Sequence, residues 1–253
     1  MSIFFNTAAG RRLIDNVNLV PEFIGKVVLN PTPIVTSEGG ESGYLSHDYA
    51  GQLPPTNGRP YMVFWTLPAS SADVWWWPKE QFGFPGSALV YTGISAFFSP
   101  TTPNPGVLPE AYVFSLGPVE ISSLKIAVRL WDMAGRLLFD SGKLHLAVHQ
   151  VAAGVALGYT ETAVALPSLP GKPAFLVPSV YRDQESHSRS DPKASFMEWL
   201  GCYRRTGGDI ISRMVKVNDF LVPSNQTGSY FEDQTYGNTS GLVIPVIDAS
   251  LYD

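Results

Sequence analysis

The hydrophobic and polar positions of this chain fall into short alternating or unbroken apolar runs, separated by turn-forming residues. Tyr61-Met62-Val63-Phe64-Trp65-Thr66-Leu67 is β-branched, aromatic and apolar throughout, and predicts a strong strand. Ile24–Leu29, Ser87–Thr92, Ile94–Phe98, Ala163–Leu166 and Ala174–Pro178 predict shorter ones. The clearest local signal is Leu124–Asp132, where Leu124, Ile126, Val128 and Leu130 share one face and Lys125, Ala127, Arg129 and Trp131 the other. Met133-Ala134-Gly135-Arg136 then reads as a turn, with Gly135 free to take a positive φ, and Leu137–Gly142 returns as the partner strand of a β-hairpin. Leu144, Leu146 and Val148 continue an alternating strand up to Val151. Trp199–Arg205 and Ile210–Val217, joined through Gly207-Gly208-Asp209, predict a second hairpin. Leu242–Asp248 is a final strand that Pro245, lacking an N–H, pushes toward an edge or a bulge.

Between these runs lie expected loops. They are residues 37–60, the proline-rich stretch 100–106, the polar stretch Arg182–Lys193 and the polar stretch Ser229–Ser240. Residues 1–20 read as an arm. Its apolar Ile3, Phe4 and Phe5 suit docking on a neighbouring subunit or a strand of the same domain, and Arg11–Asp15 has room for a short helical turn. The pattern totals about ten to thirteen strands and no helix beyond two turns.

Composition narrows the class. The 253 residues include 23 glycines and 21 prolines, charged residues are 15% and aromatics 12%. That charge is too low and that aromatic share too high for a disordered chain, and the Gly/Pro load disfavours a helical bundle. The fold class that fits is all-β: an antiparallel β-sandwich with long Pro/Gly-rich loops, built either as one continuous unit or as two modules. The corresponding division is an N-terminal arm (1–20), an N-terminal β region (21–120) and a C-terminal β-sandwich region (121–253).

Net charge is −5, and no basic run exceeds two residues (Arg11-Arg12, Arg204-Arg205), which argues against a nucleic-acid partner. The single cysteine, Cys202, can form no intrachain disulfide and points to synthesis in a reducing compartment. The opening Met1-Ser2-Ile3-Phe4-Phe5-Asn6 has no basic segment ahead of its apolar stretch and does not read as a secretory signal. No apolar run is long enough for a membrane-spanning helix.

Candidate chemistry is sparse. His145 and His149, four apart, have the spacing of a metal pair, but no third ligand sits nearby and the stretch alternates like a strand, so no metal or other cofactor is expected. Asp132 and Asp140 flank the hairpin turn and could face each other as a carboxylate pair, an arrangement that any hairpin with acidic strand ends produces. There is no Gly-x-Ser-x-Gly elbow, no phosphate-binding Gly-rich loop and no protease signature around Cys202, so no catalytic residue is assigned and the chain is not expected to be an enzyme. The unusual feature is Trp75-Trp76-Trp77. Side chains alternate along a strand, so three consecutive indoles cannot enter one core. At least one must be covered by a loop of the chain, by another subunit or by a stacked sugar.

The segment Val128-Arg129-Leu130-Trp131-Asp132-Met133-Ala134-Gly135-Arg136-Leu137-Leu138-Phe139-Asp140-Ser141-Gly142 resembles a hairpin of small tail-associated virion proteins of tailed bacteriophages. The closing Val246-Ile247-Asp248-Ala249-Ser250-Leu251-Tyr252-Asp253 resembles the end of such proteins. Together these segments cover about a tenth of the chain. The resemblance implies a structural, non-enzymatic role at the tail tip or fibre region, in a virion assembled in the host cytoplasm. It implies contacts with other phage tail proteins and a homo-oligomer, and it supplies no catalytic residues. On this reading Trp75, Trp76 and Trp77 and the arm residues Ile3, Phe4 and Phe5 are the expected contact elements. The alternative is a carbohydrate-binding module that meets a host surface glycan through one or more of the indoles.

Overall fold

The structure is a computed structural model that describes residues 4–6, 12–15, 20–33, 35–38, 45–69, 74–82, 91–99, 106–118, 120–187, 193–223, 230–236 and 239–253. In chain order the described strands begin with β1 (Phe4–Asn6), β2 (Arg12–Asp15), β3 (Pro21–Val27), β4 (Val35–Glu38), β5 (Leu45–Gln52) and β6 (Tyr61–Trp65). They continue with β7 (Val74–Phe82), β8 (Tyr91–Phe98), β9 (Ala111–Leu116), β10 (Arg129–Trp131), β11 (Leu137–Asp140) and β12 (Val148–Val155). The remainder are β13 (Thr162–Ala165), β14 (Pro173–Phe175), β15 (Tyr181–His187), β16 (Lys193–Thr206), β17 (Asp209–Pro223), β18 (Tyr230–Tyr236) and β19 (Leu242–Asp248). A 3-10 turn, Ala249–Tyr252, follows β19, and Asp248 caps it by accepting from Ser250 N.

The chain is therefore all-β, with two antiparallel sheets stacked as a sandwich. One sheet has six strands in the order β12-β19-β14-β6-β9-β3. The other has nine, with β13-β17-β16-β7-β8-β5-β4 as its spine and β15 and β18 added beside β16. Strands from 21–120 and from 121–253 lie side by side in both sheets, so the two regions share one core and do not fold as separate modules. That core forms where the inner faces meet. Trp65, Val113, Phe175, Ile244 and Val246 project from the smaller sheet, and Trp76, Ile94, Phe98, Tyr203 and Met214 from the larger.

Each sheet also carries a hydrophobic layer on its outer face. Phe64, Tyr112, Phe114, Ala174 and Ile247 sit on the outside of the smaller sheet, covered by Ala249 and Tyr252 of the 3-10 turn. The Tyr252 hydroxyl accepts from Ala147 N (2.9 Å) and donates to His145 O (2.9 Å), which ties the C-terminal end of the chain to the segment before β12. Beside that layer, Lys26 and Lys172 lie over the Tyr112 ring and pair with Glu110 and Asp253. On the larger sheet the outer layer is Trp75, Phe97, Leu200, Cys202, Ile211 and Val215. Burial on both faces explains why β6 and β9 are continuously apolar in sequence rather than alternating.

Several expectations need correcting. Residues 37–60 are not all loop, because β4 and β5 pair with each other and β5 also pairs with β8. The stretches Arg182–Lys193 and Ser229–Ser240, expected as polar loops, are largely taken up by β15 and β18, which pair with each other. Long strands β16 and β17 run past the sandwich and supply the ladder that β15 joins. A ribbon solvated on its faces needs no hydrophobic alternation, so the pattern gives no sign of it. Arg12–Asp15, where a helical turn was expected, is β2. Leu242–Asp248 is a strand, but β19 lies in the interior of its sheet, between β12 and β14. Pro245 is tolerated there because its carbonyl stays in the ladder, accepting from Leu176 N (3.0 Å), while β12 shifts register on both sides of the Val151↔Pro245 pair. Residues 87–90 and 100–105 lie outside the described residues.

Candidate functional site

The hairpin expected over Leu124–Gly142 forms, with Arg129 opposite Asp140 and Leu130 opposite Phe139, and with the residues from Ile121 that pack onto it makes the unit 121–142. It is shorter than expected. Leu124 to Val128 leave the ladder, and the paired strand is Arg129–Trp131 alone. Polar groups fix this shape. Asp132 Oδ1 accepts from Ala134 N (2.9 Å) and Arg136 N (2.8 Å), and Arg136 Nε donates to Oδ2 (2.6 Å). Gly135 takes φ +77°, the left-handed conformation the turn requires, and donates to Asp132 O (3.1 Å). The backbone and side chain of Arg136 therefore hold the Asp132 carboxyl below the usual carboxylate range.

Asp140 is the hub of the second leg. It is fully buried and accepts from Ser122 N (2.9 Å), Ser122 Oγ (2.8 Å), Arg129 Nε (3.0 Å) and Gly142 N (2.8 Å). Burial alone would raise this carboxyl, but the N–H groups of Ser122 and Gly142, the Arg129 guanidinium and the Ser122 hydroxyl together hold it well below the usual range. Arg129 Nη2 reaches on to Ser122 O (3.0 Å) and Leu124 O (3.1 Å), and Ser141 Oγ accepts from Val128 N (2.8 Å). The stretch 122–128 is thus pinned across the hairpin by polar contacts. At its far end the hairpin is fastened to the edge of the smaller sheet. Phe23 N donates to Leu144 O (2.8 Å), Leu146 N donates to Pro21 O (2.9 Å), and Lys143 pairs with the buried Glu22.

What this scaffold presents is apolar. Leu130, Leu137 and Leu138 are buried, but Ile126 is 93% exposed and Met133 is fully exposed. Ile121, Leu124, Val128 and Trp131 are open as well. Residues that the alternating pattern assigned to a core face therefore stand outside, because the strand stops at Arg129. No sequence signal marks them as open. The Asp-x-x-Gly-Arg turn and the Phe-Asp-Ser-Gly return do mark the hairpin that carries them.

The tryptophan run behaves differently. Trp76 points into the main core, and Trp75 and Trp77 point to the outer layer of the larger sheet, as strand alternation requires. Trp75 is fully buried, and the guanidinium groups of Arg204 (4.8 Å) and Arg213 (4.7 Å) lie over its ring. Glu161 holds both arginines in place. Trp75 and Trp76 are therefore not available to a subunit or a sugar in this fold, and their expected contact role is corrected. Trp77 is half-buried against the same layer. In the arm, Phe4 and Phe5 lie in β1, which pairs with β2 as a separate two-stranded sheet. Ile3 lies outside the described residues.

The remaining sequence candidates resolve into structural roles. His145 Nε2 donates to Asp140 O (2.8 Å) and its ring stacks on Phe139 (4.5 Å between centroids), whereas His149 Nε2 donates to Ser168 O (3.1 Å). The two histidines serve different carbonyls, and among the described residues no group of three or more His, Cys, Asp or Glu could hold a metal ion. Asp132 and Asp140 do not face each other, because Asp140 is opposite Arg129 and Asp132 belongs to the turn. Cys202 is buried in the Trp75 layer, and burial pushes its thiol well up. No helix among the described residues is long and apolar enough to cross a membrane. No protein-family model, curated protein or solved structure matches the chain.

Proposed function

We propose that the chain is a structural component of a tailed-phage virion, placed at the tail tip or fibre region, and that it assembles through the hairpin at 121–142. The observation that carries this reading is the row of open apolar side chains, Ile126 and Met133 foremost, on a hairpin whose backbone is locked by Asp132, Asp140 and Arg129. Several large apolar side chains left open on one short hairpin suit a surface that a partner covers. Locking the backbone in advance lowers the entropy lost when that surface is covered. The same hairpin carries the resemblance to tail-associated proteins, so sequence and exposure favour one place. Virion assembly also fits a chain with one buried thiol, no disulfide and a Gly/Pro-rich composition.

The test is affinity capture of the tagged chain after co-expression with the products of adjacent genes, with light scattering of the purified protein alongside. The expected result is a defined homo-oligomer that co-purifies with a recognisable tail protein. Ile126→Asp combined with Met133→Asp should abolish both associations at unchanged melting temperature. A wild-type monomer that captures no tail component, or a double variant that associates as well as the wild type, would defeat the proposal.

A further inference from the structure

Past the sandwich, β16 and β17 continue as a ribbon that β15 and β18 complete, in the order β17-β16-β15-β18. All seven residues of β18 pair in unbroken register with β15, and no described strand pairs with its other side. Residues 231–235 are all exposed. Such an edge presents a row of backbone N–H and C=O groups that a further strand can join. We infer that the free edge of β18 is a docking site for an extended basic segment of another protein, taken up by strand addition. The surface is separate from the hairpin at 121–142, and the inference goes beyond the assembly reading.

The other strands that end the two sheets are covered or blunted in ways that β18 is not. Residues 144–146 run along β3, where Phe23 N donates to Leu144 O, Leu146 N donates to Pro21 O and His145 bridges to Glu22. Strand β12 shifts register twice against β19, and Gly154 takes φ +77° within the second shift. Strands β4 and β13 have four residues each. By contrast, β18 contains no glycine, proline or lysine and no register shift. Short length, bulges, proline and lysine are the usual means of keeping an edge from pairing, and β18 uses none of them.

Charge decides what the edge accepts. Asp233 is already held by Arg182, whose Nε donates to Oδ1 (2.8 Å). Glu232 lies on the other face of the strand, is exposed, and stands opposite a second carboxylate, Glu185 of β15. Like charges directly opposite repel, and a Lys or Arg on a strand added beyond β18 would sit beside Glu232 and offset that repulsion. On the Asp233 face, Phe231 is 63% exposed and suits an apolar side chain of the incoming strand. The fitting segment therefore alternates basic and apolar residues. A second copy of β18 does not meet this requirement. Full-length antiparallel pairing of β18 with itself sets Asp233 opposite Asp233, and like charges brought together across an interface exclude a partner.

The experiment titrates the full chain with the capped peptide Thr-Val-Lys-Val-Lys-Val-Thr, followed by calorimetry and by hydrogen exchange of the backbone amides. The comparison peptides are the same sequence with Glu in place of Lys, and the basic peptide methylated on the backbone nitrogens of its three central residues. The basic peptide should bind saturably and slow exchange within 230–236, while the acidic and methylated peptides should do neither. Glu232→Lys should weaken binding of the basic peptide by roughly fivefold, the scale of one cross-strand charge pair turned from attraction to repulsion. Absence of saturable binding would overturn the inference, as would binding that leaves β18 unprotected. So would equal binding of either comparison peptide, or wild-type affinity in Glu232→Lys. Protection of β18 without peptide, in a sample that self-associates, would also overturn it, because the edge would then belong to a second copy. The hairpin variants Ile126→Asp and Met133→Asp should bind the basic peptide like the wild type, so failure of one proposal is distinguishable from failure of the other.

Discussion

The hairpin at 121–142 and the strand through Trp75–Trp77 are opposite cases of how apolar residues are used. The strand carries three consecutive indoles, yet it buries Trp75 and Trp76 completely and Trp77 in part. It lies inside the larger sheet, Trp76 faces the main core, and the outer face beneath Trp75 is closed by a second apolar layer and two arginines. The hairpin alternates as a half-buried strand should, yet it leaves Ile126 and Met133 open. It lies at the periphery, where polar contacts and the buried Leu130, Leu137 and Leu138 hold it. Hydrophobicity alone does not show where a surface is sticky. The number of layers that cover a strand decides that.

The comparison can be broken most forcefully at Trp76. Trp76→Ala should cost about 4 kcal/mol of unfolding free energy, the usual penalty for emptying a large buried site, measured by urea denaturation. A cost below about 1 kcal/mol would mean that the indole is not packed in the core as described.

Next is the polar lock. Asp140→Ala strands the Arg129 guanidinium and three further donors, and should cost about 3 kcal/mol, near the lower end for breaking a buried pair because Arg129 is partly solvated. The same carboxylate sets an acid dependence. Its folded-state value is depressed, so its contribution is complete above the unfolded carboxylate value of about 4 and is lost as pH falls through the folded value. Asp253, held down by Lys26, Tyr112 and Lys172, acts in the same direction. Stability should therefore fall as pH drops below about 4, and Asp140→Asn should flatten that fall. An unchanged acid limb would show that the lock does not depend on the ionised carboxylate.

Smaller effects sharpen the contrast. Ile126→Asp and Met133→Asp should each change stability by no more than about 0.5 kcal/mol, since both side chains already face solvent. A loss several times larger would place them inside the fold and remove the open apolar face. Cys202 reports on closure of the Trp75 layer. In the native protein its buried, undissociated thiol should stay unreactive to a thiol reagent, and reaction should begin only on unfolding. Rapid native-state labelling would mean that this layer opens in solution.

The fold class, the hairpin turn at Gly135 and the opposed directions of Trp75 and Trp76 were all legible in the chain, because each rests on local geometry: strand propensity, a left-handed turn position and a two-residue repeat. The candidate site was legible only in part. Phe-Asp-Ser-Gly and Asp-x-x-Gly-Arg locate the hairpin, but nothing in the alternation of Leu124, Ile126 and Val128 shows that those residues leave the ladder. Their fate depends on Asp140, which draws the backbone of Ser122 inward, and on Arg129, which holds the carbonyls of Ser122 and Leu124. The strands β15 and β18 were hidden for a different reason. They are stabilised by backbone pairing along the overlong β16, and a ladder of backbone hydrogen bonds leaves no side-chain pattern to read.

Sequence by itself therefore determined the elements whose causes are local: an all-β chain, its strongest strands and its best turn. Tertiary structure alone decided which faces were covered, that Pro245 sits inside a sheet, and that Arg204 and Arg213 close over Trp75. These are long-range pairings and layer stackings. Their energies depend on residues far apart in the chain, and no window of neighbouring residues contains them.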